Sequence, residues 1–294
     1  MLTHQQASPV DPTRVVVLGA RGFIGSALLA SLARAGVSAL GLGRTELDLT
    51  TDTAGERLAD LLRDDDALVV LSALTPDKGK GLEPFLRNIL MAAAVCRALE
   101  RRTPTHLVYV SSDAVYPLAT GLIAEGSCAQ PADLYGTMHL AREVMLSAAT
   151  RAPVAILRPT LVYGADDTHN SYGPNRLRRQ AHTDRRIALF GEGEEMRDHL
   201  FVDDFAELLL LVLRHRSAGA LNVATGRSVS YAEVAARVAE CFDDPIAIEG
   251  TPRQTPITHR HFDISALRRA FPEFRFTPLE EGVRRAHRGM LGSG

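Results

Sequence analysis

Two side chains that can exchange protons stand four residues apart near the middle of the chain. Tyr135 opens the run Tyr-Gly-Thr-Met-His, which ends at His139. Residues four apart in an α-helix lie one turn apart on the same face, so a phenol and an imidazole there can point at a single reactive centre. With ordinary pKa values of about 10 and about 6.5, the phenol is protonated and the imidazole mostly neutral at neutral pH. The pair predicts a proton-exchanging site on one face of a helix.

Glycines that recur every third residue form a second chemical signature near the start of the chain. Gly19, Gly22 and Gly25 follow the apolar run of residues 15–18, and an amphipathic run continues over residues 23–35. A side chain at Gly19 or Gly22 would hold a pyrophosphate away from the backbone amides at a helix N-terminus, and Gly25 lets helix and strand approach closely. An isolated glycine triplet is often an ordinary loop. Because this one joins a strand to a helix, it predicts a dinucleotide-binding turn.

The elements that must position these residues alternate along the chain. Apolar runs that suit strands buried on both faces lie at residues 15–18, 37–42, 67–71, 107–110 and 153–159, and helical stretches lie between them at residues 23–35, 53–63, 82–101 and 132–150. Strands that alternate with helices predict a parallel sheet covered on both faces. We therefore predict an α/β fold, in which a doubly wound, parallel-sheet Rossmann domain is followed by a smaller C-terminal lobe.

The same series predicts the domain organisation. We expect the Rossmann domain to span residues 1–165, with the polar residues 1–13 as a disordered tail. Residues 166–294 contain no internal repeat and no long low-complexity linker. We therefore expect them to form a substrate-binding lobe that is intertwined with the first domain rather than an independent domain.

Composition excludes several classes of function. The chain has 294 residues, a net charge of −2 and 46% hydrophobic residues, which are ordinary values for a soluble protein and indicate no nucleic-acid partner. Its 3 cysteines lie far apart without metal-ligand spacing, so we expect no metal site and a reducing compartment. No window approaches the roughly 18 apolar residues of a membrane span. We therefore predict a cytoplasmic protein with no membrane segment.

The end of the second predicted strand is where a dinucleotide site selects its cofactor. An acidic residue there accepts hydrogen bonds from the adenosine ribose of NAD, whereas an arginine can pair with the 2′-phosphate of NADP. Arg44 follows this strand and Arg21 lies inside the glycine loop, so two guanidinium groups can converge on one dianion. The alternative is that both arginines are simply solvated. We favour NADP(H), with NAD(H) as the second possibility.

Together the motifs resemble the extended short-chain dehydrogenase/reductases, and within them the NAD-dependent epimerase/dehydratase family of nucleotide-sugar enzymes. The resemblance rests on the Gly-x-x-Gly-x-x-Gly loop, on the Tyr-x-x-x segment at residues 135–139, on Arg-Pro-x-x-x-Tyr-Gly at residues 158–164, and on Gly-x-Gly-x-x-x-Arg-Asp-x-x-x-Val-x-Asp at residues 191–204. It covers nearly the whole chain, from Val15 to about Val283. It implies a nicotinamide cofactor and a nucleoside-diphosphate sugar as substrate.

The resemblance also implies a catalytic unit in which Ser112 and Tyr135 bind a substrate oxygen and exchange its proton. In the family a lysine completes the Tyr-x-x-x-Lys motif, holds the ribose hydroxyls of the nicotinamide and lowers the pKa of the tyrosine by its charge. Here His139 replaces that lysine. A neutral imidazole can still hydrogen-bond a ribose hydroxyl, but we expect a weaker base, and the alternative is an idle site. Asp113 is followed by alanine rather than by the glutamate of the family's dehydratases, which disfavours dehydration.

A wider set of contacts is implied by the same resemblance. The residues expected at the cofactor, besides the glycines, Tyr135 and His139, are Arg21, Phe23, Ile24, Arg44, Asp48, Leu49, Ser72 and Ala73. The residues expected at the substrate are Asn88, His169, Asn175, Arg197 and Arg260. The two arginines among them would reach the diphosphate, since a guanidinium fork matches paired phosphate oxygens.

The expected activity is reduction or epimerisation of a nucleoside-diphosphate sugar. Arg21, Arg44 and the segment Tyr116-Pro117 resemble the NADPH-using 4-keto-sugar epimerase-reductases of the GDP-fucose synthase type, so a 4-ketoreductase or epimerase-reductase ranks first. A redox-neutral 4-epimerase ranks second, and a non-catalytic NADP-binding sensor on the same fold is a third possibility.

The resemblance further implies a homodimer. In the family, the helices that correspond to residues 82–101 and 132–150 pair across a two-fold axis into a four-helix bundle. Their small and apolar residues are candidates for that face, or they only cover the sheet; they are Ala92, Ala93, Val95, Leu140 and Met145.

Overall fold

A computed structural model describes residues 1–118, 121–167, 170, 173–253 and 256–291 of the chain. Its strands, numbered in chain order, are β1 Arg14–Leu18, β2 Ala39–Leu42, β3 Asp66–Val70, β4 His106–Val110, β5 Leu122–Ile123, β6 Val154–Pro159, β7 Leu161–Tyr163, β8 Arg186–Phe190, β9 Met196–Phe201, β10 Gly219–Val223, β11 Ser228–Ser230, β12 Ala247–Thr251 and β13 His261–Phe262. Its α-helices are α1 Phe23–Arg34, α2 Ala54–Leu61, α3 Leu82–Arg101, α4 Leu134–Ala148, α5 Pro174–Asp184, α6 Val202–Arg214, α7 Tyr231–Ala239, α8 Ser265–Ala270 and α9 Leu279–Leu291. Within these described ranges, no helix is long and apolar enough to cross a lipid bilayer.

The central sheet is parallel and has the strand order β10-β6-β4-β3-β1-β2. β1 lies between β2 and β3, with Val16 opposite both Leu40 and Leu68. The chain therefore builds the sheet first on one side of β1 and then on the other, and this reversal opens a crevice at the carboxyl ends of β1 and β3. The strand order confirms the predicted doubly wound Rossmann fold.

The two faces of β1 explain why this strand is apolar at every position. Val15 and Val17 pack in one cluster with α1 and α6, whereas Val16 and Leu18 pack in another with α2 and α3. All four side chains are almost completely buried. Burial of an aliphatic side chain stabilises a fold by about 1.5–3 kcal/mol. A strand covered by helices on both faces therefore shows no alternation of polar and apolar residues.

A separate apolar cluster forms the core of the smaller lobe. It joins Tyr163 to Leu177 of α5, Ile187 of β8, Val234 of α7 and Val283 of α9. Strands β7, β9 and β11 form the three-stranded sheet of this lobe. Between β9 and β11, however, the chain returns to the Rossmann layers as α6 and β10. The chain thus passes more than once between the two parts, and the crevice between them is walled by both.

The first residues of the chain are bound to the Rossmann domain. The backbone nitrogen of Thr3 donates to the carbonyl of Ala218 (2.8 Å), and the ring of His4 stacks on His215 with centroids 4.3 Å apart. Gly219 has a φ of +102°, and a Cβ there would lie 2.4 Å from the carbonyl oxygen of Met1. The predicted disordered tail is therefore wrong for this stretch, because backbone pairing and ring stacking, which polar composition does not reveal, hold it in place.

Candidate active site

The glycine turn joins β1 to α1 at the carboxyl edge of the sheet. Gly19 has a φ of +85°, and a Cβ there would lie 2.8 Å from the backbone nitrogen of Ser72. A Cβ at Gly25 would lie 2.3 Å from the carbonyl oxygen of Gly19, so only glycine lets the turn and the helix come this close. At the N-cap, Gly22, no side chain caps the helix, and its first turn holds no acidic residue. The open helix N-terminus fits the pyrophosphate of a dinucleotide.

A pocket of about 510 Å³ lies over this edge, between the Rossmann domain and the smaller lobe. Its size is within the usual range for small-molecule and cofactor sites. The residues that line it and that were expected at the site are Gly19, Gly22, Phe23, Ile24, Gly25, Ala73, Ser112, Asp113, Tyr135, His139 and Asn175. The structure thus brings most of the expected cofactor and catalytic residues to one cavity.

A close contact between α4 and the turn after β4 brings the tyrosine to the serine. Asp133 caps α4 by accepting a hydrogen bond from the backbone nitrogen of Gly136 (2.8 Å). A Cβ at Gly136 would lie 2.1 Å from the carbonyl oxygen of Ala114, so a glycine is needed for the helix to lie on this turn. There Ser112 and Tyr135 both line the pocket, and the hydroxyl of Ser112 lies close enough to the phenol of Tyr135 to lower its pKa. The two residues expected to hold one substrate oxygen therefore meet.

The surroundings of Tyr135 keep its phenol protonated. Burial raises the pKa of the phenol above its ordinary value, and the neighbouring Tyr109 and Asp113 act in the same direction. The hydroxyl of Ser112 and the charge of Arg142 oppose this rise in pKa without cancelling it. At neutral pH the phenol can therefore give a proton, whereas removing its proton requires help.

His139 lies one turn after Tyr135, with the two rings edge to face and their centroids 4.7 Å apart. Its Nδ1 is 2.7 Å from the hydroxyl of Tyr109, a buried residue of β4. Its Nε2 is buried and has no hydrogen-bond partner in the described part of the chain. Burial, and then the charge of Arg142, lower the pKa of the imidazole well below its ordinary value. The ring is therefore neutral and keeps one nitrogen available.

Arg142, on the next turn of α4, is completely buried. Its Nη2 donates to the carbonyl oxygen of Ser72 (2.7 Å), and its Cζ lies 5.1 Å from the centroid of the Tyr109 ring. Its Nε has no hydrogen-bond partner among the residues that the structure describes. Neither Arg142 nor Tyr109 was expected at the site. The available signals were an arginine three residues after His139 and a tyrosine within an otherwise aliphatic strand.

Each of the two arginines that could select the cofactor forms an ion pair with a carboxylate. Arg21 forms an ion pair with Glu46, and the Nε of Arg44 lies 3.1 Å from Oδ2 of Asp48. Hydrogen bonds from Thr50, assisted by Arg44, lower the pKa of Asp48 to about 2. Both guanidinium groups are mostly exposed, at 70% and 73% of their side-chain surface, so a ligand can reach them.

Leu49 and Ser72, also expected at the cofactor, lie beneath the surface. Leu49 is buried in the cluster that covers one face of the sheet. The hydroxyl of Ser72, just after β3, is buried and has no partner among the described residues. Such a hydroxyl fits a site that a polar ligand completes.

The two arginines expected at the diphosphate bind protein groups instead. Arg197 donates to the carbonyl oxygen (2.5 Å) and to the hydroxyl (2.8 Å) of Thr258. Arg260 is buried, lies 3.2 Å from Oδ2 of Asp113 and donates to the carbonyl of the same residue (2.9 Å). Burial raises the pKa of the Asp113 carboxyl, and this guanidinium opposes the rise. Neither arginine is among the described residues that line the pocket.

The remaining residues that were expected at the substrate lie in different places. Asn88 is buried, and its amide oxygen accepts a hydrogen bond from the backbone nitrogen of Leu74 (2.9 Å), so it holds the loop after β3. Asn175 lines the pocket at the start of α5, and its amide oxygen accepts from the backbone nitrogen of Gly164 (3.2 Å). His169 lies outside the described residues.

The model of the NAD dependent epimerase/dehydratase family matches residues 15–224 of this chain. That span contains the glycine turn, Ser112, Tyr135 and, except for Arg14 at the start of β1, all six strands of the central sheet. The chain belongs to this family. The resemblance inferred from its motifs is thereby confirmed.

Several proteins to which this epimerase/dehydratase-family chain is similar are named for nucleotide sugars. It is 24% identical over 275 residues to the GDP-L-fucose synthase of Sinorhizobium fredii, and the alignment covers 83% of this chain and 87% of that protein. It is 28% identical over 317 residues to the ADP-L-glycero-D-manno-heptose-6-epimerase of Alkalilimnicola ehrlichii, and this alignment covers 92% of this chain and 95% of that protein. The solved structure of MoeE5 in complex with UDP-glucose and NAD superposes with a TM-score of 0.81 at 26% identity, covering 95% and 99%. The names of the first two proteins and of the ligand of the third contain different nucleotide bases and different sugars.

Proposed function

We propose that this protein is a nicotinamide-dependent oxidoreductase of a nucleoside-diphosphate sugar, acting as a 4-ketoreductase or an epimerase-reductase. The observation that carries the proposal is that Ser112 and Tyr135 line one pocket together with the open glycine turn. The names of the similar proteins support the substrate class, since they include a GDP-L-fucose synthase, an ADP-heptose epimerase and a complex with UDP-glucose and NAD.

Reduction is the direction that the protonated phenol of Tyr135 suits best. When bound, the nicotinamide cofactor supplies a hydride to the sugar carbon. Ser112 donates a hydrogen bond to the ketone oxygen, and Tyr135 gives that oxygen a proton as negative charge develops on it. Because burial raises the pKa of the phenol, its acid form is present at neutral pH. A redox-neutral 4-epimerase must begin by removing a proton from an alcohol, which is why it ranks second.

For the cofactor we propose NADP(H). Arg21 and Arg44 are exposed and close to the glycine turn, and exposed ion pairs contribute little to stability, so a 2′-phosphate can replace their carboxylate partners at small cost. NAD(H) is the alternative, because Glu46 lies just after β2 and accepts a hydrogen bond from the backbone nitrogen of Gly43 (2.9 Å). A carboxylate at this place can accept hydrogen bonds from an adenosine ribose.

For the substrate we propose that Asn175 and Arg197 approach the diphosphate. Asn175 already lines the pocket. Arg197 must release the carbonyl and the hydroxyl of Thr258 and its ion pair with Glu195 (3.6 Å). Arg260 must release the Asp113 carboxylate, so we assign it first to holding that residue and only second to the substrate.

We also propose a homodimer through α3 and α4. Leu82, Leu86 and Leu90 follow one another at four-residue spacing on α3 and are 61%, 45% and 51% exposed, and Val144 on the neighbouring α4 is 65% exposed. Two such helices from each of two copies form a four-helix bundle. Ala92 and Val95, which were expected on this face, are completely buried within the chain, so that part of the expectation is wrong. Light scattering of wild type and of Leu86→Glu tests the dimer, which the charge should break.

The test of the activity is to supply NADPH with nucleoside-diphosphate 4-keto sugars that carry different bases. A reductase oxidises one NADPH for each sugar reduced. A 4-epimerase interconverts sugar nucleotides with no net change in cofactor. A sensor binds NADPH and forms no product with any sugar, and that result would overturn the proposal.

A further inference from the structure

Three buried side chains, those of Tyr109, His139 and Arg142, form a cluster beside Tyr135. Tyr109 of β4 contacts His139 of α4 through a hydrogen bond of 2.7 Å, and the guanidinium of Arg142 lies against the face of the Tyr109 ring. His139 lines the pocket. The cluster therefore extends from the pocket wall into the interior, directly behind the proposed acid.

The hydrogen bond between Tyr109 and His139 determines which imidazole nitrogen carries the proton. A phenol hydroxyl is a good donor and a neutral imidazole nitrogen a good acceptor, so the hydroxyl of Tyr109 donates to Nδ1. The neutral ring then carries its proton on Nε2. Burial raises the pKa of Tyr109 to about 12, so the phenol keeps the proton that it donates.

The Nε2–H group of His139 is the one donor of this ring that is left for a bound molecule. Nδ1 is engaged with β4, and Nε2 is buried with no partner in the described part of the chain. A buried N–H group without an acceptor is unfavourable, so an acceptor that arrives with a ligand is expected there. A ribose hydroxyl is such an acceptor.

Arg142 supplies the positive charge that a neutral histidine lacks. Its hydrogen bonds go to the carbonyl oxygen of Ser72 and to the amide oxygen of Asn88, which are both neutral. No ion pair among the described residues includes it. Its charge therefore acts on Tyr135 without a compensating carboxylate of its own, and a guanidinium stays cationic throughout the neutral range.

The other groups that face the Tyr135 phenol do not replace this charge. Tyr109 from β4 and Asp113 from the turn after β4 disfavour the phenolate. Ser112 favours it through its hydroxyl, which carries no charge. Arg260 is engaged by the carboxylate of Asp113.

We propose that the two tasks of the family's lysine are divided in this chain. His139, held by Tyr109, binds a ribose hydroxyl of the nicotinamide cofactor through Nε2–H, and Arg142 provides the positive charge that favours the phenolate of Tyr135. Tyr109 and Arg142 are then positioning residues, since they act through His139 and Tyr135. The inference rests on the proposed function, because it assumes a nicotinamide ribose in this pocket.

The first test reads the tautomer of His139 in the protein without ligand. Nitrogen-15 spectra of protein labelled in its 10 histidine rings, with His139 assigned by its loss in His139→Gln, should show protonated Nε2 and bare Nδ1 across the neutral range. Tyr109→Phe keeps the ring but removes the hydroxyl, so it should give a mixture of tautomers. The same variant should weaken binding of the nicotinamide cofactor about fivefold, as expected for one hydrogen bond. A protonated Nδ1 in wild type, or an unchanged tautomer and affinity in Tyr109→Phe, overturns the role of Tyr109.

The second test reads the charge of Arg142 at the position of Tyr135. Tyr135 is replaced by difluorotyrosine, whose more acidic phenol is titrated by fluorine NMR. Residues seven apart lie about 10 Å apart along a helix, and at an effective dielectric constant of about 20 a unit charge at that distance changes a pKa by about one. Arg142→Gln should therefore raise the pKa of the fluorinated phenol by about one, and the matched variant Arg142→Lys should not.

Because Arg142 is buried, its replacement can prevent folding, and a second uncharged variant that fills the same space is therefore needed. Arg142→Met replaces Arg142→Gln if the latter does not fold, and the same rise in pKa is expected. Equal pKa values in the charged and uncharged variants overturn the role of Arg142. Both tests are done without turnover, so a protein that passes them but reduces no sugar overturns the proposed function alone. A protein that reduces sugars and fails them overturns the division of tasks alone.

Discussion

Two buried arginines, Arg158 of β6 and Arg142 of α4, have very different numbers of hydrogen-bond and ion-pair partners. Arg158 of β6 donates to both carboxylate oxygens of Glu143 (2.9 and 2.6 Å) and to the hydroxyl of Tyr116 (2.7 Å). Arg142 has only neutral partners, and its Nε has none among the described residues. Beside it, Nε2 of His139 has no partner there either.

This difference distinguishes a structural region, which we call the scaffold, around Arg158 and Glu143 from the candidate active site around Arg142 and His139. The ion pair of Arg158 and Glu143 is closed by its own hydrogen bonds and ties β6 to α4, so it leaves little for a ligand to complete. The free donor of His139 stands at the pocket wall, where a ligand can complete it, and Arg142 lies behind it in the interior. Changes in the first region should therefore alter stability more than chemistry, and changes in the second should do the reverse.

The largest effect is expected from Tyr135→Phe. Loss of the proposed acid should lower the rate of sugar reduction by about 10²–10⁴-fold. The ring is retained, so the free energy of unfolding and the dissociation constant of NADPH should hardly change. Steady-state kinetics, urea unfolding and fluorescence titration measure the three quantities. A variant that is less stable but fully active would place Tyr135 with the scaffold.

Glu143→Gln should be the most damaging change in the scaffold region. It leaves the buried Arg158 without a compensating charge, which typically costs about 3–5 kcal/mol of stability. Urea unfolding at neutral pH measures the loss. The matched control is Glu281→Gln, which removes a surface carboxylate 2.8 Å from Arg285 and should leave the unfolding free energy nearly unchanged. Equal effects of the two variants would contradict the distinction between closed and exposed pairs.

His106 provides a pH-dependent test of the scaffold. It is buried, its Nε2 is bonded to the carbonyl of Ser217 (2.7 Å), and burial lowers its pKa to about 4. The unfolded chain takes up a proton near its ordinary pKa of about 6.5, so stability is complete above that pH and falls as the pH drops toward 4, by up to about 3 kcal/mol. His106→Gln should reduce this acid-induced loss, as measured by urea unfolding at about pH 7 and about pH 4.5. An unchanged loss would assign acid sensitivity to other groups.

The smallest effect is expected at Arg44, the exposed arginine that follows β2. Arg44→Ala should weaken NADPH binding about tenfold, the cost of one charge-assisted hydrogen bond, and leave NADH binding unchanged. The control is Arg102→Ala, which breaks the exposed ion pair with Asp64 (2.9 Å) away from the pocket. Tighter binding of NADH than of NADPH by wild type would reverse the proposed preference.

Sequence reasoning succeeded where the cause of a feature is local. The spacing of Gly19, Gly22 and Gly25 predicts the turn, because each glycine is required by atoms within the same strand, turn and helix or the strand beside them. The four-residue spacing of Tyr135 and His139 predicts their common face in the same way. The order of strands and helices was sufficient for the Rossmann fold.

What the sequence did not reveal depends on which side chains meet across elements. Tyr109 on β4 and Arg142 on α4 are far apart in the chain, and only packing shows that they share His139. Arg260 was expected at the substrate, but its guanidinium faces Asp113. A residue type suggests a chemical role, whereas the choice of partner is made by the tertiary structure.

We propose that a nicotinamide cofactor bound in this pocket gives a hydride to the 4-keto carbon of a nucleoside-diphosphate sugar, so that the protein does more than bind the cofactor. The most direct measurement uses NADPH deuterated at the transferred position with a nucleoside-diphosphate 4-keto sugar, and follows the deuterium by NMR. We expect one deuterium at C4 of the product sugar for each NADPH oxidised, and none with Tyr135→Phe over the same time. Bound NADPH that keeps its deuterium with every sugar nucleotide offered would contradict the account and favour a sensor.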